Sequence, residues 1–277
     1  MTEQNIKVVS WNINSIRIRL EQLKKIVSEL NPDIICLQET KCENDKFPLA
    51  SVQELGYKYV AHRGQASYNG VAIISRVQFK EIIEKDFCGK SDCRYIGTEF
   101  NLGTKKKSVK LHNFYVPAGG DEPDINKNPK FKHKLDFLDE MYQHMKAQIA
   151  DDQYHVIVGD MNIAPHVNDV WSHRQLINVV SHTEVERSKL LEIISKHNFC
   201  DVLRYFAEED EKVYSWWSYR NRDWKKSNRG RRLDHIWITQ NLLEHYNEHY
   251  IYQTARDFER PSDHVPISIT LQVSNIT

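Results

Sequence analysis

Tyr95-Ile96-Gly97-Thr98-Glu99-Phe100-Asn101-Leu102 and Ser108-Val109-Lys110-Leu111-His112-Asn113-Phe114-Tyr115-Val116 are two strand-like runs. They flank Gly103-Thr104-Lys105-Lys106-Lys107, and the arrangement predicts a hairpin with the lysines solvated at its turn. A hairpin makes its strands antiparallel, so the sheet holding it is antiparallel or mixed rather than doubly wound and parallel. Upstream, Lys7–Trp11, Ile34–Leu37, Tyr57–Ala61 and Val71–Ser75 read as strands. Leu20, Leu23, Val27 and Leu30 recur at helical spacing and stop at Asn31-Pro32-Asp33, and Pro48–Leu55 gives a second helix. Downstream, Phe131, Leu135, Leu138, Tyr142, Met145 and Ile149 form the stripe of a long core-facing helix, and Glu184–His197 also reads as helix. His155–Val158, Val213–Trp217 and Leu233–Thr239 read as strands, and Val265, Ile267, Ile269, Leu271 and Val273 alternate as in a half-buried one.

Strands outnumber helices, and no Pro- or Ser-rich linker, repeat or low-complexity tract divides the chain. The expectation is one α/β domain over residues 1–277, a length that large sandwiches and barrels reach. Its 40% hydrophobic and 27% charged content is that of an ordinary globular protein. A formal net charge of zero excludes a uniformly basic nucleic-acid coat, so any DNA contact uses a local patch. Five cysteines without a C-x-x-C pair argue against a disulfide framework and a structural zinc site. A reducing cytoplasm is the expected setting, since no signal-peptide pattern or membrane-length apolar run occurs.

Polar residues gather where the strands end. Asn12 and Asn14 follow the first strand, Gln38-Glu39-Thr40 the second, and Tyr115 closes the hairpin. Gly159-Asp160-Met161-Asn162 follows the central strand, Asp234 opens a late one, and Ser262-Asp263-His264 precedes the last. Strand ends at one edge of stacked sheets converge in space, and an oxygen-rich set of this kind suits magnesium or manganese better than zinc. Taken singly, each is a common turn or capping residue; the signal lies in the ordered set.

That set resembles the exonuclease III family of apurinic/apyrimidinic endonucleases, within the endonuclease/exonuclease/phosphatase superfamily. The resemblance rests on Val9-Ser10-Trp11-Asn12-Ile13-Asn14, Leu37-Gln38-Glu39-Thr40-Lys41, Gly159-Asp160-Met161-Asn162-Ile163, Arg232-Leu233-Asp234 and Pro261-Ser262-Asp263-His264-Val265-Pro266. It runs from about Ile6 to Leu271. The implied fold is a four-layer sandwich, two packed mixed β-sheets flanked by helices. The resemblance makes Glu39 the principal Mg2+ (or Mn2+) ligand, with Asn12, Asp160 and Asp263 at the metal site. It gives Asp160 the activation of the attacking water, Asn162 and Tyr115 contacts to phosphate, and His264 the phosphoryl charge, with Asp234 orienting His264. Ala118 stands where some relatives carry an amide side chain, which removes one phosphate contact.

Substrate choice falls to the stretch from Tyr214 to Arg232. There Arg220, Arg222, Lys225, Lys226, Arg229, Arg231 and Arg232 interleave with Trp216, Trp217, Tyr219 and Trp224. Cations neutralise backbone phosphates and aromatic rings stack on bases. By resemblance Trp217, Arg220, Asn228, Arg231, Arg94 and Tyr68 contact DNA, although one of the adjacent tryptophans 216 and 217 is expected in the core. The implied activity is metal-dependent cleavage 5′ to abasic sites in double-stranded DNA, with 3′-to-5′ trimming of 3′ ends, by a monomer in a bacterial cytoplasm without membrane contact. A lipid or inositol-phosphate phosphodiesterase on the same scaffold is the alternative enzyme, and the basic aromatic stretch argues against it. A DNA-binding protein without catalysis is opposed by the intact Glu39, Asp160, Asp234 and His264.

Overall fold

The computed structural model describes residues 5–101, 108–149, 153–221 and 223–272. In chain order its strands are β1 (Asn5–Asn12), β2 (Ile34–Gln38), β3 (Tyr59–Arg63), β4 (Val71–Ser75) and β5 (Glu81–Glu84). There follow β6 (Tyr95–Asn101), β7 (Ser108–Tyr115), β8 (Tyr154–Asp160), β9 (Phe199–Asp201) and β10 (Trp216–Trp217). The last are β11 (Gly230–Arg231), β12 (Asp234–Thr239), β13 (Tyr246–Ile251) and β14 (Ile267–Gln272).

They build two six-stranded sheets, ordered β13-β14-β1-β2-β4-β3 and β5-β6-β7-β8-β12-β9, and a small β10-β11 ribbon. In each large sheet one neighbouring pair is parallel, β1 with β2 and β7 with β8, so both are mixed. The expected hairpin is the antiparallel pair β6–β7, with Tyr95 opposite Phe114; its lysine turn lies outside the described residues.

Strand alternation sorts the side chains into layers. Val8, Ile34 and Ile73 of the first sheet meet Leu111, Val158 and Ile236 of the second between the sheets. The residues one step along face outward. Val9, Ile35 and Leu37 pack on Leu23 and Ile26 of the helix Leu20–Leu30, which ends at a left-handed Asn31. Phe114, Ile157 and Trp237 pack under the helices Pro129–Gln148 and Glu184–Lys196. The result is a four-layer sandwich. The helices Pro129–Gln148 and Glu184–Lys196 start on caps: Asn128 before Pro129, and Thr183 in a reciprocal box with Glu186. No helix among the described residues is long and apolar enough to cross a membrane.

Some readings shift. The long helix buries Lys134, Phe137, Met141 and His144 as well as Phe131, Leu138 and Met145, while Leu135 and Tyr142 are only partly covered. Strand β14 is interior to its sheet, so Ser268 and Thr270 are buried and both its faces are covered, not one. Val273 and Arg222 lie outside the described residues. Strands β5 and β13 carry no clear alternation in the sequence and emerge as edge or near-edge partners of longer strands.

Register decides where the chemistry sits. Asn12 pairs with Gln38 at the end of the first sheet. In the second, Tyr115, Asp160 and Asp234 form a single row across three strands. Gln38 Nε2 donates to Asn113 Oδ1 at 2.7 Å, and Asn113 Nδ2 donates to the carbonyls of Leu37 and Ala72, each at 3.0 Å. These bonds pin the sheets together just below the row. Gly159 allows β8 to approach β7: a Cβ there would lie 1.9 Å from the Phe114 carbonyl oxygen.

Candidate active site

At this edge the chain leaves its strands through left-handed residues. Asn14, Glu39, Lys41 and Asn162 all have φ near +50°. For non-glycine residues this conformation costs about 1–2 kcal/mol each, and here it turns their side chains toward one point.

Asn12 is the hub. Its Nδ2 donates to Glu39 Oε1 at 3.0 Å and to Asp160 Oδ2 at 2.9 Å, and lies 3.4 Å from His264 Nε2. Its Oδ1 accepts from the Asn14 backbone N–H. Tyr115 donates its hydroxyl to Glu39 Oε1 at 2.9 Å. Lys41 Nζ sits 2.7 Å from Glu39 Oε2. Asn162 donates its backbone N–H to Asp160 Oδ1 and its Nδ2 to Asp160 Oδ2. His264 Nδ1 lies 2.8 Å from Asp234 Oδ2, which also accepts from Ser215 Oγ. The Ser215 hydroxyl in turn accepts from the backbone of Leu233 and Asp234. Ser262 Oγ, bonded to the Asn12 carbonyl and to His264 N, ties the two ends of the chain together.

These contacts set the charges. Burial raises the Asp160 carboxyl, and repulsion from Asp234 and Glu39 adds to it; His264 and the Asn12 amide only partly offset the rise. Burial disfavours the His264 imidazolium, but Asp234 and Asp160 outweigh it and hold the ring protonated, well above its ordinary value. Glu39 is pushed up by burial and brought below its usual range by Lys41, Asn12 and His264. Tyr115 is held protonated by burial and by the Glu39 and Asp160 charges.

Asp160, Asp234 and His264 also bring possible ligand atoms within 4.8 Å of one another. Asp234 and His264 form a hydrogen-bonded charge pair, since His264 Nδ1 and Asp234 Oδ2 already satisfy each other. A hard divalent cation fits better at Glu39. The donors there are oxygens, and among the described residues Lys41 pairs with Glu39 and His264 with Asp234, while Lys134 and Arg256 act on Asp160 and Asp263 without pairing with them. The Lys41 ammonium shows that Glu39 Oε2 is aimed at positive charge.

Asn12 and Asp263, expected at the metal site, have hydrogen-bond partners on this floor, as Glu39 has. Asn12 offers the carboxylates its amide N–H groups, since its oxygen facing theirs would be repulsive. Asp263 accepts from Asn14 Nδ2 on one oxygen and from Trp216 Nε1 on the other.

A cleft of about 640 Å³ opens above this floor, with Glu39, Tyr115, Asn162 and His264 along its base. Trp216, Arg220, Arg229 and Arg231 line its walls together with Trp171 and Leu176, which cluster with Trp216. Trp217 is a correction. Its ring is fully buried, packed on Tyr214 and Trp224, with Nε1 donating to Asn228 Oδ1. Adjacent strand residues face opposite ways, so it is Trp216 that meets the cleft. Asn228 caps the short helix Trp224–Ser227 and holds that buried indole. Arg94 lies over the Tyr115 ring at 4.8 Å and pairs with Asp92. Tyr68 is 71% exposed in a loop whose Asn69 and Gly70 carbonyls accept from Lys41 and Thr40, beside Glu39. Ala118 lines the cleft and offers no side-chain donor. The sequence reading missed Lys41, two residues past Glu39 in a motif already noted, and Ser215. It also missed the wall at Trp171 and 176–181, where irregular chain gave no periodic signal.

A sequence model described as the Endonuclease/Exonuclease/phosphatase family matches residues 9–264. Exodeoxyribonuclease III of Haemophilus influenzae is 30% identical over 268 residues, covering 95% of this chain and 98% of that one. An AP endonuclease structure from Archaeoglobus fulgidus superposes with TM-score 0.86 and 32% identity, covering 96% and 99% of the two chains. A 3′ phosphatase from Neisseria, bound to a product DNA hairpin, superposes with TM-score 0.87 and 27% identity, covering 96% and 99%.

Proposed function

Because this chain belongs to the endonuclease/exonuclease/phosphatase family, we propose that it is a DNA-repair nuclease that hydrolyses phosphodiesters 5′ to abasic sites and trims 3′ ends in duplex DNA. The observation that carries this reading is the floor itself. Glu39, Asp160 and the Asp234–His264 pair converge through Asn12 at the base of a cleft walled by tryptophan and arginine. Relatives acting on abasic sites and on 3′ ends support both activities. We assign the activity to one domain of 277 residues acting as a monomer in a bacterial cytoplasm.

A phosphodiester is anionic and resists attack by another anion. Glu39 would hold magnesium or manganese, with Asp160 adjoining, and the cation would supply neutralising charge to the phosphate oxygens. The chain's own groups do the rest. Asp160, its pKa raised by burial and like charge, takes the proton of the attacking water. His264, kept as imidazolium by Asp234, places its Nε2 proton against the charge developing on the phosphoryl oxygens. Tyr115, a protonated phenol, donates where Glu39 leaves it free to turn, and Asn162 keeps Asp160 aimed.

The test is a duplex with a single abasic analogue, incubated at graded magnesium or with chelator, its products sized on a gel. Incision 5′ to the lesion, dependent on metal and abolished in Glu39→Ala, is the expected result. Full activity of metal-stripped protein in excess chelator would refute the role of Glu39. No incision of any duplex would refute the function.

A further inference from the structure

Arg231 differs from the other charged residues around the cleft. It faces Trp216 across the β10–β11 ribbon, with its guanidinium 5.5 Å from the centre of that ring. One of its nitrogens, Nη1, donates to the Val180 carbonyl and to Ser181 Oγ. Its Nε is sealed from solvent and has no hydrogen-bond partner. No carboxylate among the described residues makes an ion pair with it. Glu186, whose charge acts on Arg231, is itself held by Lys134 and by the Ser181 and Thr183 backbone. Arg231 therefore combines a positive charge, which no carboxylate among the described residues pairs directly, with a place in the lining of the cleft that also holds His264. An unpaired charge away from water is unfavourable unless a ligand completes it. The face of Trp216 favours the cation and holds its plane, and a guanidinium fork matches two oxygens of a phosphate or carboxylate.

We infer that Arg231 receives a second anionic group of the DNA substrate, a phosphate or carboxylate attached near the scissile phosphodiester, and so decides which lesions and ends the cleft accepts. The inference rests on the nuclease reading above. Two parts of a DNA substrate supply that chemistry. One is a neighbouring backbone phosphate of a continuous strand. The other is the acidic remnant of an oxidised sugar at a 3′ end. The surrounding wall, Leu176, Val179 and Leu233, is apolar and would otherwise favour an uncharged sugar.

Two substrate pairs separate these sources. The first is a 3′-phosphoglycolate end against a 3′-phospho-(2-hydroxyethyl) end, equal in length but without the carboxylate. The second is an abasic-analogue duplex with native phosphates against one with a methylphosphonate beside the scissile position. Single-turnover rates at subsaturating enzyme give a charged-to-neutral ratio for each pair. Wild-type protein should prefer the charged member of at least one pair by about 10- to 100-fold, the usual scale for a charge-assisted hydrogen bond. Arg231→Met should bring that ratio close to one, and Arg231→Lys should restore part of it. The pair that responds identifies the source. A ratio within one preparation does not depend on how much of the protein is folded, so a destabilised variant still reports. Absence of preference in wild type at both pairs, or a preference that survives in Arg231→Met, overturns the inference and leaves the nuclease intact. Failure of wild type to cleave any of the four duplexes refutes the nuclease reading itself.

Discussion

Arg232 and Asp234 are separated by one residue and belong to buried charge networks of opposite character. Arg232 grips Asp169 with two parallel bonds, Nε to Oδ1 at 2.9 Å and Nη2 to Oδ2 at 2.8 Å, and places Nη1 2.9 Å from Asp201 Oδ1. Arg204 adds a second cation at Asp169. Two guanidiniums thus meet two carboxylates. Burial alone would raise both aspartates, but Arg232 outweighs it and holds them below the usual carboxylate range. The Asp234 network is short of positive charge. One oxygen of Asp234 is buried without a partner, and Asp160 is pushed up rather than down. Only this second network opens to the cleft. Both networks are buried; they differ in charge balance and in access to the cleft.

The widest separation comes from removing one aspartate from each network. Asp169→Ala leaves Arg232 uncompensated and should cost about 3–5 kcal/mol of stability, with cleavage per folded molecule within a few-fold of wild type. Asp160→Asn should slow single-turnover cleavage by roughly 100-fold or more, with no loss of melting temperature, because it relieves repulsion. Thermal melts beside the cleavage assay check both. A destabilised Asp160→Asn would show the two networks to be alike.

The adjacent tryptophans extend the contrast to the walls. Trp217→Ala should destabilise by about 3–5 kcal/mol, as for a buried aromatic cut to Ala. Trp216→Ala should keep the melting temperature and weaken DNA binding by about 1–3 kcal/mol, the scale of one base–aromatic stack. Titration of a labelled duplex beside a melt gives both numbers, and equal melting losses would place both rings in the core.

Acid separates the balanced network from buried groups that are neutral. His144 and His155 are pushed down to about 4, chiefly by burial. Their folded pKa lies below the unfolded value of 6.5, so the unfolded chain takes up protons first. Stability is full above that value and should fall as pH drops toward 4, by up to about 1.4 kcal/mol per pH unit for each histidine. Asp169 and Asp201 are depressed below 3.8, so their contribution is complete above that value and persists through this window. His144→Leu should flatten the fall in melting temperature between pH 6.5 and 4.5. An unchanged slope would move the effect to other groups.

The smallest effect is expected at the exposed rim. Arg220→Ala should reduce the dependence of DNA affinity on log salt concentration by about one ion, with no change in the rate once DNA is bound. Binding isotherms over a salt series measure it, and an unchanged slope would take Arg220 off the phosphate backbone.

Local chemistry made much of this molecule legible without coordinates. The helix ending at Asn31, the β6–β7 hairpin and the strand ends bearing Glu39, Asp160 and Asp234 follow from periodicity and turn residues that act over a few neighbours. The ordered motifs brought the family and the sandwich, and named the residues proposed for catalysis. What the sequence could not decide depends on contacts between distant segments. Which tryptophan faces the cleft is fixed by the pairing of Trp216 with Arg231 and by the packing of Trp217 on Trp224. That Asn12 bridges Glu39 and Asp160, 27 and 148 residues away, requires both sheets to end at one edge in register. The neutrality of the Arg232 network, and the lack of it around Asp234 and Arg231, is a sum over side chains brought together by folding. Electrostatics acts through space, and the chain carries its charges in an order that does not reveal their distances.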